Sequence, residues 1–163
     1  MRGRPPSSVV ACARWGSATC ADRMAPMTTV TLSTDPALLD VDRIHHWLST
    51  DTYWARGRSR ETVESTIAHS LNLGAYDEDG QQVGYARLVT DHTTFAWLCD
   101  VYVDPAVRGR GISHQLVQGM LAECEPMGLN RIVLATHDAH GLYERYGWQV
   151  LPEPGRWMTR GRP

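Results

Sequence analysis

The chain has 163 residues, 42% of them apolar and 21% charged, and a formal net charge of -2. That length suits one domain with a proper core, and the near-neutral balance gives no global argument for nucleic-acid or membrane binding. No apolar run approaches the roughly 20 residues that span a bilayer.

Charge is unevenly spread. Four of the 16 arginines and one of the 18 acidic residues fall in residues 1–26, which leaves 12 against 17 in the remainder. An acidic body is compatible with a cationic ligand. Lysine is absent, so a lysine Schiff base is excluded. Cys12, Cys20, Cys99 and Cys124 form no CxxC pair. They read as free thiols in a reducing compartment, with no metal site.

Residues 1–26 hold Gly, Pro, Ser and Ala without a period and are expected to be disordered. Their apolar run Val9–Ala13 is cut by Arg14, too early for the hydrophobic core of a signal peptide, so a cytoplasmic location is expected. Regular pattern begins after Met27, which defines a domain over 27–163. Residues 28–33 alternate as a first strand. Helical spacing runs from Pro36 to Leu48, and a second helix starts near Ser59 and continues through Val63, Ile67 and Leu71. Strands Leu73–Asp77 and Gln82–Thr90 flank Asp79-Gly80, a hairpin turn signal. The next strand is Thr94–Val103, ended by Asp104-Pro105. A helix from Ile112 to Glu125 stops at Pro126 and Gly128. Arg131–Thr136 reads as a buried strand. Asp138 is expected to cap a short helix through Arg145. Trp148–Leu151 and Arg156–Thr159 read as a last strand pair. The order implies an α/β (α+β mixed sheet) layer fold.

The chemistry is concentrated in Val101–Ser113, VYVDPAVRGRGIS. A strand enters a Gly-rich turn and then a helix N-terminus. Such a turn aims backbone N–H groups and the helix dipole at one point. Gly109 and Gly111 allow close approach of the main chain to a phosphate, and Arg108 and Arg110 supply cationic donors. A nucleoside-triphosphate P-loop is excluded because Ile112-Ser113 follows Gly111 where Lys-Ser/Thr is required. A dinucleotide fingerprint is excluded because His114 occupies the third glycine position.

Arg108-Gly109-Arg110-Gly111-Ile112-Ser113 resembles the acyl-CoA pyrophosphate loop of the GNAT superfamily, Gln/Arg-x-x-Gly-x-Gly/Ala, with Ser113 at the last position. Ala139-His140-Gly141-Leu142-Tyr143-Glu144-Arg145-Tyr146-Gly147-Trp148 resembles the family's Ala-x-x-Leu-Tyr-x-x-x-Gly-Phe segment, with Trp148 for Phe. The resemblance covers roughly residues 28–160. It implies a mostly antiparallel central sheet with a splayed strand pair and about four helices, and acetyl-CoA as acyl donor. It also implies backbone contacts from Val101, Tyr102 and Val103 to the pantetheine arm. The loop Arg108, Gly109, Arg110, Gly111, Ile112 and Ser113 would hold the pyrophosphate. Tyr143 would be the acid toward the departing thiolate; otherwise it is a packed aromatic.

On the acceptor side Asp100 interrupts an apolar strand and needs a reason to be there. It is a candidate base or acceptor ligand; the alternative is a salt bridge to Arg87. Asp91 and His92 are expected near one mouth of the groove. Tyr53 and Trp54 are placed over the acceptor pocket, where an aromatic ring can stack on a cation or another ring. Trp97 reads as core, and Arg56, Arg58 and Arg60 as a solvated loop. The expected function is N-acetylation of an amine on a small molecule or protein by direct attack. The alternatives are an acyl-CoA sensor and a toxin-type enzyme that acetylates aminoacyl-tRNA. The acidic body argues against the last. No nucleic acid or membrane partner is expected, and a homodimer is compatible with the sequence.

Overall fold

The computed structural model describes residues 29–161; the expected disorder of residues 1–26 falls outside the described residues. Five strands form one sheet in the order β1-β2-β3-β4-β5. They are β1 (Thr31–Ser33), β2 (Leu71–Tyr76), β3 (Gln82–Thr90), β4 (Phe95–Val103) and β5 (Arg131–Val133). The first four pair antiparallel, and β5 joins β4 in parallel. Four α-helices surround the sheet: α1 (Val41–His46), α2 (Arg60–Ala68), α3 (Ile112–Cys124) and α4 (His140–Glu144). The architecture is the mixed sheet with about four helices expected of the fold.

Side-chain alternation divides the core between the two faces of the sheet. On one face Ile112, Leu116, Val117 and Met120 of α3 pack with Leu73, Ala75, Ala86 and Leu88. This is a helical stripe meeting the inward face of β2 and β3. On the other, Ile44, Trp47, Leu48 and Val63 pack with Tyr85 and Tyr102. Gly119 lets α3 lie close, because a Cβ there would stand 2.7 Å from Leu32 and 2.9 Å from Leu73.

Two departures from a regular sheet create the space for a site. First, Tyr85 pairs with Tyr102 but Arg87 pairs with Cys99, so β4 carries one extra residue. Asp100 sits in this bulge with φ 52°, the left-handed region that non-glycine residues seldom adopt. The bulge exchanges faces. Ala96 and Leu98 face α3 before it, whereas Val103 faces α3 and Tyr102 the opposite cluster after it. Second, β5 pairs only with Phe95, Ala96 and Trp97. Beyond that point Leu98–Val103 has no strand partner on that side among the described residues, and β4 and β5 splay.

Five elements differ from the sequence expectation. The helix over 36–48 is three pieces: a 3-10 turn Pro36–Leu38, α1, and a π-helical turn Trp47–Asp51. Asp35 and Asp40 each accept a backbone N–H and cap a new start, which favours restarting over a continuous helix. The second helix ends at Ala68, and Leu71 begins β2. Strand β5 stops at Val133, three residues short of Thr136, where the splay removes its partner. The last two strands do not form: residues 148–153 are irregular and Pro154–Arg156 is a 3-10 turn. Pro152 and Pro154 lack the N–H that a ladder needs, and β5 offers only a three-residue edge.

Candidate active site

The splay between β4 and β5 opens into a cavity of about 980 Å³. Its lining brings together residues from β4, the turn before α3, the segment leading into α4, and the loop after α1.

The first wall is the turn. Gly109 and Gly111 adopt φ 77° and 79°, a conformation that a glycine takes without a Cβ penalty. The space where a Cβ of Gly109 would lie is open for 4 Å. No side chain caps α3, and Ile112, Ser113 and His114 of its first turn line the cavity. This leaves the orphan N–H groups of a 13-residue helix facing one spot. Arg108, Arg110 and Arg145 surround it. Arg108 is itself oriented: Nε donates to the Val103 carbonyl at 2.9 Å and the guanidinium stands 5.2 Å from the Tyr102 ring centroid. The wall has backbone donors, positive charge and room, which suits a phosphate group.

The second wall holds Tyr143 on α4. It is nearly buried among the α3-side core and packs edge-on against Trp148 at 5.8 Å. Burial, with smaller contributions from Tyr53 and Asp138, pushes its phenol up to about 12. Tyr143 lines the cavity, and its phenol stays protonated at neutral pH. Asp138 lines the cavity too and does not cap α4. Ala139 is the capping residue there, and its N–H is taken by the Thr136 hydroxyl at 3.0 Å.

The third wall lies over the bulge. The Asp100 carboxylate, 4% exposed, accepts from Arg87 Nε at 2.8 Å and Arg58 Nη1 at 2.9 Å on one oxygen, and from Trp54 Nε1 at 3.1 Å on the other. The salt bridge to Arg87 is therefore present, joined by a second one. Arg87 lies behind Asp100 rather than on the cavity surface, and its Nη1 reaches the Ser70 hydroxyl. Burial lowers its affinity for a proton, but Asp100 more than offsets this, so it stays charged. Arg58 is not a solvated loop residue: its side chain is 19% exposed and joins the loop to the bulge.

Several residues are placed differently from expectation. Asp91 is outside the cavity lining. Its carboxylate accepts from the N–H groups of Thr93, Thr94 and Phe95 and from the Thr94 hydroxyl. Those bonds hold it well below the usual carboxylate range; its work is to shape the β3–β4 turn. Trp97 is not core: it is 39% exposed and lines the cavity. Asp51, at the end of the π-helical turn, was not singled out by the sequence. It accepts from Tyr102 Oη at 2.7 Å and from the Thr50 hydroxyl at 2.8 Å, and these bonds lower its pKa. The acid could have been suspected only from its proximity to Tyr53 and Trp54. Cys99 also lines the cavity, but burial pushes its thiol up to about 11, so it is not a ready nucleophile.

The GNAT acetyltransferase family model matches residues 41–148. The chain belongs to the GNAT acetyltransferase family. A Gibberella zeae protein named as an acetyltransferase is 31% identical over 131 residues, 69% of this chain and 74% of that protein. A GNAT-family protein of Xanthomonas campestris superposes with a TM-score of 0.80 at 45% identity, covering 84% of this GNAT protein and 96% of its own chain. A rice protein named as serotonin N-acetyltransferase 2 is 27% identical; the match covers 63% of this chain and 54% of that one. A Brucella melitensis GNAT structure in complex with acetyl-CoA shares the fold at 19% identity and TM-score 0.60, over 75% of this chain and 84% of its own. Among the described residues no helix is long and apolar enough to cross a membrane.

Proposed function

We propose that this GNAT protein transfers the acetyl group of acetyl-CoA to a primary amine by direct attack. The observation that carries the reading is the convergence, in one cavity, of an uncapped α3 N-terminus behind two left-handed glycines, an unpaired length of β4, and a neutral Tyr143 hydroxyl. The donor molecule supplies an activated thioester. Gly109, Gly111 and the first-turn N–H groups of α3 hold its pyrophosphate, with Arg108 and Arg110 as counter-charges. The edge of β4 at Val101–Val103, left without a β5 partner, aligns its arm as an added strand would.

The overall change converts R–NH3+ and the thioester to the acetamide, the thiol and one proton. The amine must first lose a proton. Its nitrogen then bonds to the carbonyl carbon while the C–S bond breaks and sulfur takes the electron pair. Tyr143 Oη donates to that sulfur. An ordinary thiol titrates near 8.5, so full transfer from a phenol at about 12 is uphill in the resting site. The hydroxyl contributes chiefly a hydrogen bond that strengthens as charge builds on sulfur. Asp100 acts here as a positioning residue. Its two oxygens already accept from Arg87, Arg58 and Trp54, which commits the carboxylate to holding the loop against the bulge. Of the two protons the ammonium loses, one passes to cavity water before attack; the other leaves nitrogen once the C–N bond has formed and ends on the thiolate, giving the thiol. Asp51, ionised and beside the mouth, attracts the ammonium.

The test is calorimetric titration of the full chain with acetyl-CoA, followed by thiol release with amines. Micromolar donor binding with amine-dependent thiol release is expected. Binding without release for any amine would favour a sensor of acyl-CoA, and absence of binding would remove the transfer reading.

A further inference from the structure

Three aromatic side chains line the cavity although each is substantially exposed: Tyr53 at 57%, Trp54 at 44% and Trp97 at 39%. They come from two elements. Trp97 projects from β4 on the face shared with Cys99 and Arg87, since Trp97 pairs with Val89 and Cys99 with Arg87. Tyr53 and Trp54 arrive from the loop after α1 on that same face. Trp54 is fixed there by its hydrogen bond to Asp100.

The rings are set before any ligand arrives. Tyr53 meets Trp54 edge-to-face at 4.9 Å, and its hydroxyl accepts from the His137 N–H at 3.1 Å across the splay. Val89 and Phe95, 43% and 37% exposed, lie on the same sheet face beside Trp97 and extend the apolar floor. Oriented aromatic surface left in water is a recognition surface for an apolar, preferably aromatic, group. Asp51, two residues from Tyr53, adds a carboxylate to the cavity lining and accepts hydroxyl hydrogen bonds from Thr50 and Tyr102, within reach of the Arg108 charge. That carboxylate is the group in the lining suited to receive an ammonium.

We propose that the acceptor is an aryl-alkyl primary amine, its ring packed among Trp97, Tyr53 and Trp54 and its amine directed toward the bulge in β4. The inference rests on the acetyl-transfer reading and names the substrate class of that site.

The experiment compares kcat/KM for acetyl transfer to 2-phenylethylamine and tryptamine with that for n-butylamine, spermidine and a lysine-containing peptide, at saturating acetyl-CoA. The aryl-ethylamines are expected to exceed n-butylamine by about 100-fold, the scale of discrimination an apolar pocket gives. In Trp97→Ala the ratio of aryl to alkyl kcat/KM should fall at least tenfold, and Trp97→Phe should restore most of it. Trp97 is partly exposed, so the Ala variant is expected to fold, which circular dichroism checks. Equal rates for aryl and alkyl amines, an unchanged ratio in Trp97→Ala, or preference for spermidine or the peptide would overturn this inference and leave acetyl transfer intact. Failure to bind acetyl-CoA at all would instead overturn the transfer reading, and this inference with it.

Discussion

The two halves of the cavity are built by different means. The donor half, Arg108–Ser113, presents main-chain N–H groups from one contiguous turn and one helix end. The acceptor half, over the bulge, is built of side chains from three separate elements tied together by Asp100. A surface made of backbone tolerates change in every side chain except those that must be small. A surface made of side chains held by a buried ion cluster fails when one member is lost. Substitutions in the turn and in the Asp100 cluster should therefore read out differently, the first in ligand binding and the second in folding.

The largest effect is expected at Asp100. Asp100→Asn leaves Arg87 and Arg58 beside each other without their shared anion. Losing one partner of a buried pair costs about 3–5 kcal/mol, which urea denaturation will register as a lower midpoint. Adding Arg58→Gln to that variant should recover part of the loss, because it removes one of the two stranded charges. Full wild-type stability in Asp100→Asn would mean the cluster does not hold the acceptor half together.

The complementary break is Gly111→Asp. An Asp tolerates the left-handed backbone better than most residues, so the fold should survive. Its carboxylate would face the pyrophosphate, and acetyl-CoA affinity measured by calorimetry should drop at least about 100-fold, roughly 2.7 kcal/mol. Unchanged affinity would remove the turn from donor recognition. Between these lies Tyr143→Phe. It keeps the ring in place and deletes the donor to sulfur, so kcat should fall about tenfold to a thousandfold. Donor affinity should stay within about twofold. A wild-type rate would assign that hydrogen bond to water or to another group.

The smallest effect concerns pH. Burial raises the Cys99 thiol from 9.0 to about 11 and the Tyr143 phenol from 10.0 to about 12. A raised folded-state value means the folded protein binds the proton more tightly, so these contributions are complete below the unfolded values. They are lost as pH rises, through 9 to 11 for Cys99 and 10 to 12 for Tyr143. Urea midpoints should be flat from neutral pH to about 9 and decline above it. A rise in stability over that alkaline range would contradict the burial of both groups.

Strands with strong alternation and the long stripe of α3 were legible because burial on one face leaves a period in the sequence. The stretch 36–48 carries the same apolar spacing, but Asp35 and Asp40 intervene as caps. Local side-chain hydrogen bonds there outweighed the period. Residues 148–159 have strand-like composition, yet Pro152 and Pro154 and the short edge of β5 give them no ladder to join. The misplacement of Trp97 has the same origin as the cavity. A large apolar residue in a strand reads as buried, and only the splay of β5 leaves it exposed.

The sequence by itself determined the family and the glycine-rich turn, because that turn is a local object. Its glycines, arginines and helix start lie within Arg108–Ser113, and Tyr143 is announced by the residues around it. Only the tertiary structure decided the acceptor half. Arg58 and Asp100 are 42 residues apart, and Tyr53 and His137 are 84 apart. The bulge that aims Asp100 at them is a register shift between β3 and β4. Register, pairing across the sheet and exposure at a splayed edge arise from long-range packing, which no contiguous stretch of residues encodes.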